Sequence, residues 1–438
     1  MDAPQGLFNP ADAAVTTWNA RILHAPAQVL IADSADHIRE AVIYAAARGL
    51  KVRVQATGHG ALEPATADTL LIDTSRMTGV YIDPHSSTAT VEPGTKWSTV
   101  VVAAHPHGLA PLCGSATDVG VVGFSLGGGM GWLSRPYGLA CDAIQAVQIV
   151  TADGNLRWAD DSTEPDLLWA LRGGGPNFGV VTALRTRLAP AAEVYGGSLL
   201  WPVQAARQVL EGYRDWVAGV PRAVTSAVGT LHLPDAPFVP EPMRGRSVMR
   251  ICLCHAGPDL SDAEEIFAPL RAIPGLVADL AGPMPYTRID DVTMDPVDPL
   301  PYSLSGQMIS GLSDEVIDLL VEIAPRDAEP YLLNLVRHLG GAPHPAGSGL
   351  GYWSGDFALE AVSVTPDPAS LAAAQEFAAR LNAALGAART GYVPLNFASA
   401  PDQVRQAYTR EHGERLTELK KRFDPGGMFG GDRPISPR

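Results

Sequence analysis

The chain has 438 residues, too many for one ordinary hydrophobic core, so two domains are expected. Hydrophobic residues at 46% and charged residues at 18% exclude a disordered chain, and a formal charge of -15 with a pI near 5.1 argues against nucleic acid or an anionic membrane as partner. No apolar stretch reaches spanning length, MDAPQGLFNPADAAV lacks the basic and apolar regions of a secretory signal, and four cysteines make no disulfide framework, so the sequence reads as cytoplasmic.

In chain order, AQVLIAD is a short strand, and SADHIREAVIYAAARGL a helix with Ile38, Ala41, Val42, Ala45 and Ala46 on one stripe, Ser34 as N-cap and Gly49 as its stop. KVRVQA is the next strand, leaving through Thr57 to Gly60. LLIDTS, GVYIDP and TATVEPG follow as strands and TKWSTVVVAAHPHG as a helix. Residues 111–135 are glycine-dense and read as loop. Strand character resumes over 139–158, with Asp153-Gly154 as a hairpin turn.

Beyond residue 195, strand-like runs (YGGSLLW, SVMRICLCHA, ALEAVSVT) alternate with amphipathic helices. One carries Ala206, Val209, Leu210, Tyr213, Trp216 and Val217; another starts at Asp367-Pro368 and carries Leu371, Ala374, Ala378, Leu381 and Leu385. This pattern suits a sheet covered on one side by helices. Cys252 and Cys254 share a strand face beside His255, but no further ligands are evident, so no metal site is expected. GYVPLNF reads as a last strand and 400–423 as a last helix, followed by a glycine-rich tail.

Three glycine-rich loops, at 57–60, 114–131 and 173–179, exceed what turns require and suit a shared ligand with a diphosphate held by backbone N–H groups. GGGMG at 127–131 and GGGPNFG at 173–179 both miss the GxGxxG spacing, and neither has an acidic residue about 20 positions on, so a nicotinamide Rossmann unit is disfavoured. A Walker motif is absent as well.

QATGHG, LLIDTSRM, ATVEPGTKW, SATDVGVVGFSLGGGMGWLSRPYGLACDAI, VTADG, DLLWALRGGGPNFGVVT and ERLTELKKRFDPGGMF occur in order. From about residue 27 onward the chain thereby resembles the flavoproteins of the vanillyl-alcohol oxidase type with a PCMH-type FAD-binding domain, and within them the berberine-bridge-enzyme-like oxidases. The resemblance implies an α+β fold. Its FAD-binding domain would span residues 1–195, completed by 392–438. Residues 196–391 would form a substrate domain, an antiparallel sheet covered by helices.

It also implies FAD attached through His59 to the flavin 8α-methyl. Cofactor contacts would come from Gln55, Ala56, Thr57, Gly58, Gly60 and Ala61 on the first loop. The second loop would contribute Gly114, Ser115, Thr117, Asp118, Val119, Gly120, Gly123, Gly127 and Gly128, and Val181 and Asn396 would complete the set. Many relatives add a cysteine link to flavin C6. That position is Ala116 here, with Cys113 three residues earlier, so a single link is expected. Val119, small, stands where relatives admit dioxygen, and Gln55 replaces a customary arginine.

Oxidation of an alcohol or amine is hydride transfer to the flavin plus removal of one proton, so a base is required. Relatives use a tyrosine or a glutamate from the substrate domain. In GYVPLNF the customary tyrosine is Pro394, and strand alternation puts Tyr392 on the same face, either as the base or as an aromatic packed in the sheet. Glu360 reads as a solvated outer-face carboxylate, with a position facing the flavin as the alternative. His344, Tyr352 and Tyr286 are further pocket candidates. The expected function is an FAD-dependent oxidase acting with O2 on a small organic substrate, of natural-product or sugar type, and releasing hydrogen peroxide. The alternatives are a non-redox flavin protein of the same fold, suggested by the missing tyrosine, and a dehydrogenase that does not use O2.

Overall fold

A computed structural model of the chain describes residues 4–13, 15–233, 235, 241, 244–325, 331–343, 347–351 and 355–435. Among these residues three sheets form. In the first, Gln28–Ile31, Thr69–Asp73 and Lys51–Gln55 run parallel, and Leu7–Phe8 adds an antiparallel edge. Helix Ala35–Arg48 supplies the crossover that parallel strands require. Ser34 caps it by accepting from the His37 N–H, and Gly49 ends it in the left-handed region at φ 65°. Its buried stripe is Ile38, Ala41, Val42, Tyr44 and Ala45; Ala46, expected inside, is exposed.

The second sheet is antiparallel, ordered Val80–Asp83, Thr88–Val91, Val180–Arg187, Ile144–Val150, Leu156–Asp160. In the third, the strand order is Ala278–Asp279, Glu193–Pro202, Ser247–His255, Val224–His232, Leu333–His338, Phe357–Val364, Tyr302–Ile309, with Gly282–Pro285 also paired to Glu193–Pro202.

Side chains on this third sheet alternate between two environments, as period-2 strands must. Met249, Ile251, Leu253, Val228, Val336 and Leu359 pack under helices Ala206–Val217, Ala263–Arg271, Asp314–Ile323 and Pro368–Leu385. Cys252, Cys254, Ala227, Leu335 and Ala358 face the opposite way, into a core shared with the second sheet. The sheet covered by helices on one side therefore matches the sequence reading. Asp367 forms a capping box with Ser370 at the start of Pro368–Leu385, whose buried stripe uses Phe377 where Ala378 was expected.

Three expectations fail locally. Residues 111–135 contain two short helices, Val121–Leu126 and Ser134–Tyr137. GYVPLNF is no strand: it is irregular and closes in the 3-10 turn Leu395–Phe397, and Pro394 has no N–H to give a ladder. The last helix is two pieces, a 3-10 stretch Pro401–Ala407 and helix Arg410–Phe423. They separate at extended Tyr408, because Thr409 caps the second piece by accepting from the His412 N–H.

Candidate active site

One cleft of about 450 Å³ runs from the end of strand Lys51–Gln55 to the inner face of the third sheet. That volume lies within the range of small-molecule sites. Its first wall is the exit of Lys51–Gln55, Gln55 through Ala61. Gly58 turns there at φ +77°, and a Cβ would fall 2.8 Å from Thr17 Cα, so glycine is required on both counts.

The turn presents His59. Its Nδ1 is 3.0 Å from Thr57 Oγ1, its Nε2 is 3.2 Å from Asp118 Oδ2, and its ring stacks on Trp18 at 4.5 Å. Its backbone oxygen accepts from the Tyr302 hydroxyl. Burial alone would raise the Asp118 carboxyl, but the adjoining His59 imidazole, with Lys96, holds it below the usual carboxylate range. Gln55 spends its amide on His24 and the Thr16 carbonyl, tying down the N-terminal segment.

The second wall comes from the 114–130 segment: Gly114, Ser115, Ala116, Val119, Gly120, Gly123 and Gly127 line the cleft. Asn396 clamps this segment from the chain's far end, accepting from the Gly129 N–H at 3.1 Å and donating to the Phe124 carbonyl at 3.2 Å. A Cβ on Gly127 would lie 2.7 Å from Asn396. A Cβ on Gly123 would meet nothing within 4 Å, so the wall there is bare backbone facing free space. Val181 and Asn396 also line the cleft. Thr117, Asp118 and Gly128 do not: Thr117 donates its N–H and hydroxyl to Asp290, Asp118 faces His59, and Gly128 lies under Leu350.

The third wall is the sheet, and most of its polar residues escaped the sequence reading. Arg250, Arg337 and Glu360 line it, with Asp295 at its rim. Glu360 is not a solvated outer-face carboxylate: only 14% of its side chain is exposed, and Oε1 lies 3.8 Å from Arg337 Nη2. Burial raises its carboxyl above the ordinary value, Asp295 adds to the rise, and Arg337 and Arg250 oppose it. From the tail, Arg433 donates to the carbonyls of Leu395 and Gly60, and Asp432 accepts from the Leu62 N–H and pairs with Arg53 at 2.7 Å.

Other expected residues fall elsewhere. Tyr392 is half-buried against the main core and is not among the cleft-lining residues; the strand that was to aim it does not exist. Tyr286 is buried, bonded to the Pro111 carbonyl and to Cys113 Sγ, outside the cleft. Cys113 is wholly buried and its thiol is pushed up to about 12, chiefly by burial, so it stays protonated and away from the cleft. His344 and Tyr352 lie outside the described residues.

The residues present fit an FAD. A flavin-sized groove has bare glycine backbone along its length and ends at a stacked, half-buried imidazole, and a wall of acid-base groups faces it across the gap. Among the described residues no helix is long and apolar enough to cross a membrane.

Residues 26–160 match the family described as FAD binding domain. The chain is 27% identical to (R)-6-hydroxynicotine oxidase of Paenarthrobacter nicotinovorans, over 97% of this chain and 94% of that one. It is 32% identical to xylooligosaccharide oxidase of Thermothelomyces thermophilus over 48% and 44% of the two chains. The crystal structure of 6-hydroxy-D-nicotine oxidase from Arthrobacter nicotinovorans superposes with a TM-score of 0.86 at 25% identity, covering 100% and 99% of the chains. Physcomitrella patens BBE-like 1 shares the fold, with a TM-score of 0.81 at 18% identity over 97% and 94%.

Proposed function

We propose, from the premise that this chain is an FAD-linked oxidoreductase of the vanillyl-alcohol oxidase type, that it oxidises an alcohol or amine carbon of a small organic substrate with Glu360 as base and His59 as covalent anchor. When bound, FAD would supply the hydride acceptor, with O2 as the final oxidant and hydrogen peroxide as the product. The observation that carries the reading is that one cleft joins the His59 turn to Glu360 on the opposite wall.

At the anchor, Asp118 faces Nε2, which favours the tautomer with its proton there and the lone pair on Nδ1. We assign Nδ1 as the atom that would bond the 8α carbon in place of one methyl hydrogen, which leaves as a proton while the electron pair passes through the flavin to O2. Trp18 fixes the ring plane, and the Thr57 hydroxyl, which holds the Nδ1 lone pair in the free protein, would release it for the bond. With Ala116 at the second position and Cys113 buried, one link is the better reading.

At the substrate end, Glu360 removes the O–H or N–H proton while the neighbouring carbon loses its hydride, leaving a C=O or C=N bond. Apolar Leu304, Leu335 and Val362 on the same wall exclude water. Glu360 supplies the base that the absent tyrosine would have given, which weakens the non-redox alternative. Residues 1–195 with 392–438 serve as the flavin half and 196–391 as the substrate half; the separate helix-covered core of the latter supports this division. Four unpaired cysteines suit a reducing, cytoplasmic setting, and a secondary-metabolite substrate suits the largely apolar wall.

Acid precipitation of purified protein tests the anchor. A yellow pellet and one added FAD mass, both lost in His59→Ala, are expected. A yellow supernatant over a colourless pellet sinks the covalent link, and peroxide release across an alcohol and amine panel tests the oxidase.

A further inference from the structure

The register of the third sheet places five residues in one row. Arg250 is opposite Gly229, Gly229 opposite Leu335, Leu335 opposite Glu360, and Glu360 opposite Gly306. Directly opposed residues of antiparallel strands share a face, so Arg250, Leu335 and Glu360 all point into the cleft. Arg337, two residues beyond Leu335, does the same. Gly229 leaves bare backbone between Arg250 and Leu335.

Both arginines are almost wholly buried, at 1% and 2% exposure. Each makes one hydrogen bond: Arg250 Nη1 to the Thr293 carbonyl at 2.8 Å, Arg337 Nη2 to Ser115 Oγ at 2.7 Å. The Arg337 guanidinium also lies over the Trp132 ring at 4.5 Å. Each keeps two buried nitrogens without a partner, Nε and Nη2 of Arg250 and Nε and Nη1 of Arg337. Four unpaired cationic donors are expensive to bury. Among the described residues Glu360 is the buried carboxylate set among them, at 3.8 Å from Arg337, and Asp295 stands further out at the half-exposed rim.

With Asp295 out at the rim, the two guanidiniums keep unpaired donors in the buried part of the wall, a site shaped for planar, two-oxygen recognition. We propose that the substrate carries a carboxylate, held by Arg250 and Arg337, which sets its oxidisable carbon between Glu360 and the flavin wall. This rests on the oxidase reading for the chemistry but not for the binding. Arg250 and Arg337 act as specificity residues, selecting an acid over its neutral analogue.

The test compares benzoate with benzamide, alike in shape but different in charge, titrated into the holoenzyme and followed by flavin difference spectra and by calorimetry. Benzoate is expected to bind at least about tenfold more tightly than benzamide. Arg250→Met is expected to remove that preference by weakening benzoate more than benzamide, and Arg250→Lys to restore part of it. Equal binding of the two probes, no saturable benzoate binding, or an unchanged preference in Arg250→Met overturns the proposal. The wild-type comparison stands even if the variant fails to fold. A preparation that never holds flavin defeats the oxidase reading, while calorimetry still scores the anion site.

Discussion

The indole of Trp18 lies nearly parallel to the imidazole of His59, with centroids 4.5 Å apart and planes inclined by 21°. The backbone N–H of Trp18 donates to the Thr57 carbonyl at 3.0 Å, and Tyr302 meets the edge of the indole. The ring proposed to carry the flavin is thus positioned by the N-terminal segment and the third sheet together. Trp18→Ala and Asp118→Asn are each expected to slow flavin attachment by about tenfold or more, since orientation of a nucleophile is worth at least that. Intact mass against time after adding FAD to apoprotein reads it; attachment at the wild-type rate in both variants removes the positioning role.

Glu360→Gln keeps the shape of the row and removes the base. The turnover rate is expected to fall by roughly 10²–10⁴-fold. Stopped-flow reduction of the flavin by substrate is the measurement, because it isolates the chemical step. A variant that reduces its flavin normally would return the search for a base to residues beyond this wall.

The pH profile follows from the same group. Burial, helped by Asp295, places the Glu360 pKa above the ordinary glutamate value of 4.5. A base works only when ionised, so kcat/KM should fall as pH drops through that raised pKa and level off above it. The acidic limb should vanish in Glu360→Gln. If the limb persists there unchanged, it belongs to substrate or to another group.

The His59 loop was legible because its signal is local: two glycines and a histidine at the end of a strand, within six residues. The glycine-dense second loop was legible for the same reason. Arg250 and Arg337 were not, and Glu360 only as an alternative, because each sits in an apolar strand and the row exists only through a register that joins residues 110 positions apart. A slip of one residue would send all three under the helices, and sequence periodicity does not fix that choice. Tyr392 was misplaced by assuming a strand across Pro394, a residue that cannot join a ladder's interior. Trp18 and Arg433 reach the cleft from the two ends of the chain, where no motif marks them.

The closing turn at the C-terminus carries the clearest stability prediction. Asp424 is buried and pairs with Lys420, and its two oxygens accept the backbone N–H groups of Met428 at 2.9 Å and Phe429 at 2.8 Å. Lys420 in turn donates to the carbonyls of Asn177 and Phe429. One ion pair therefore joins the last helix, the third glycine loop and the tail that brings Arg433 to the cleft. Asp424→Ala strands a buried ammonium and two N–H groups, and is expected to cost about 3–5 kcal/mol in chemical denaturation. Asp424→Asn retains acceptor capacity for one N–H and should cost less. Equal losses in the two variants would mean that charge, rather than the hydrogen bonds to the turn, accounts for the effect.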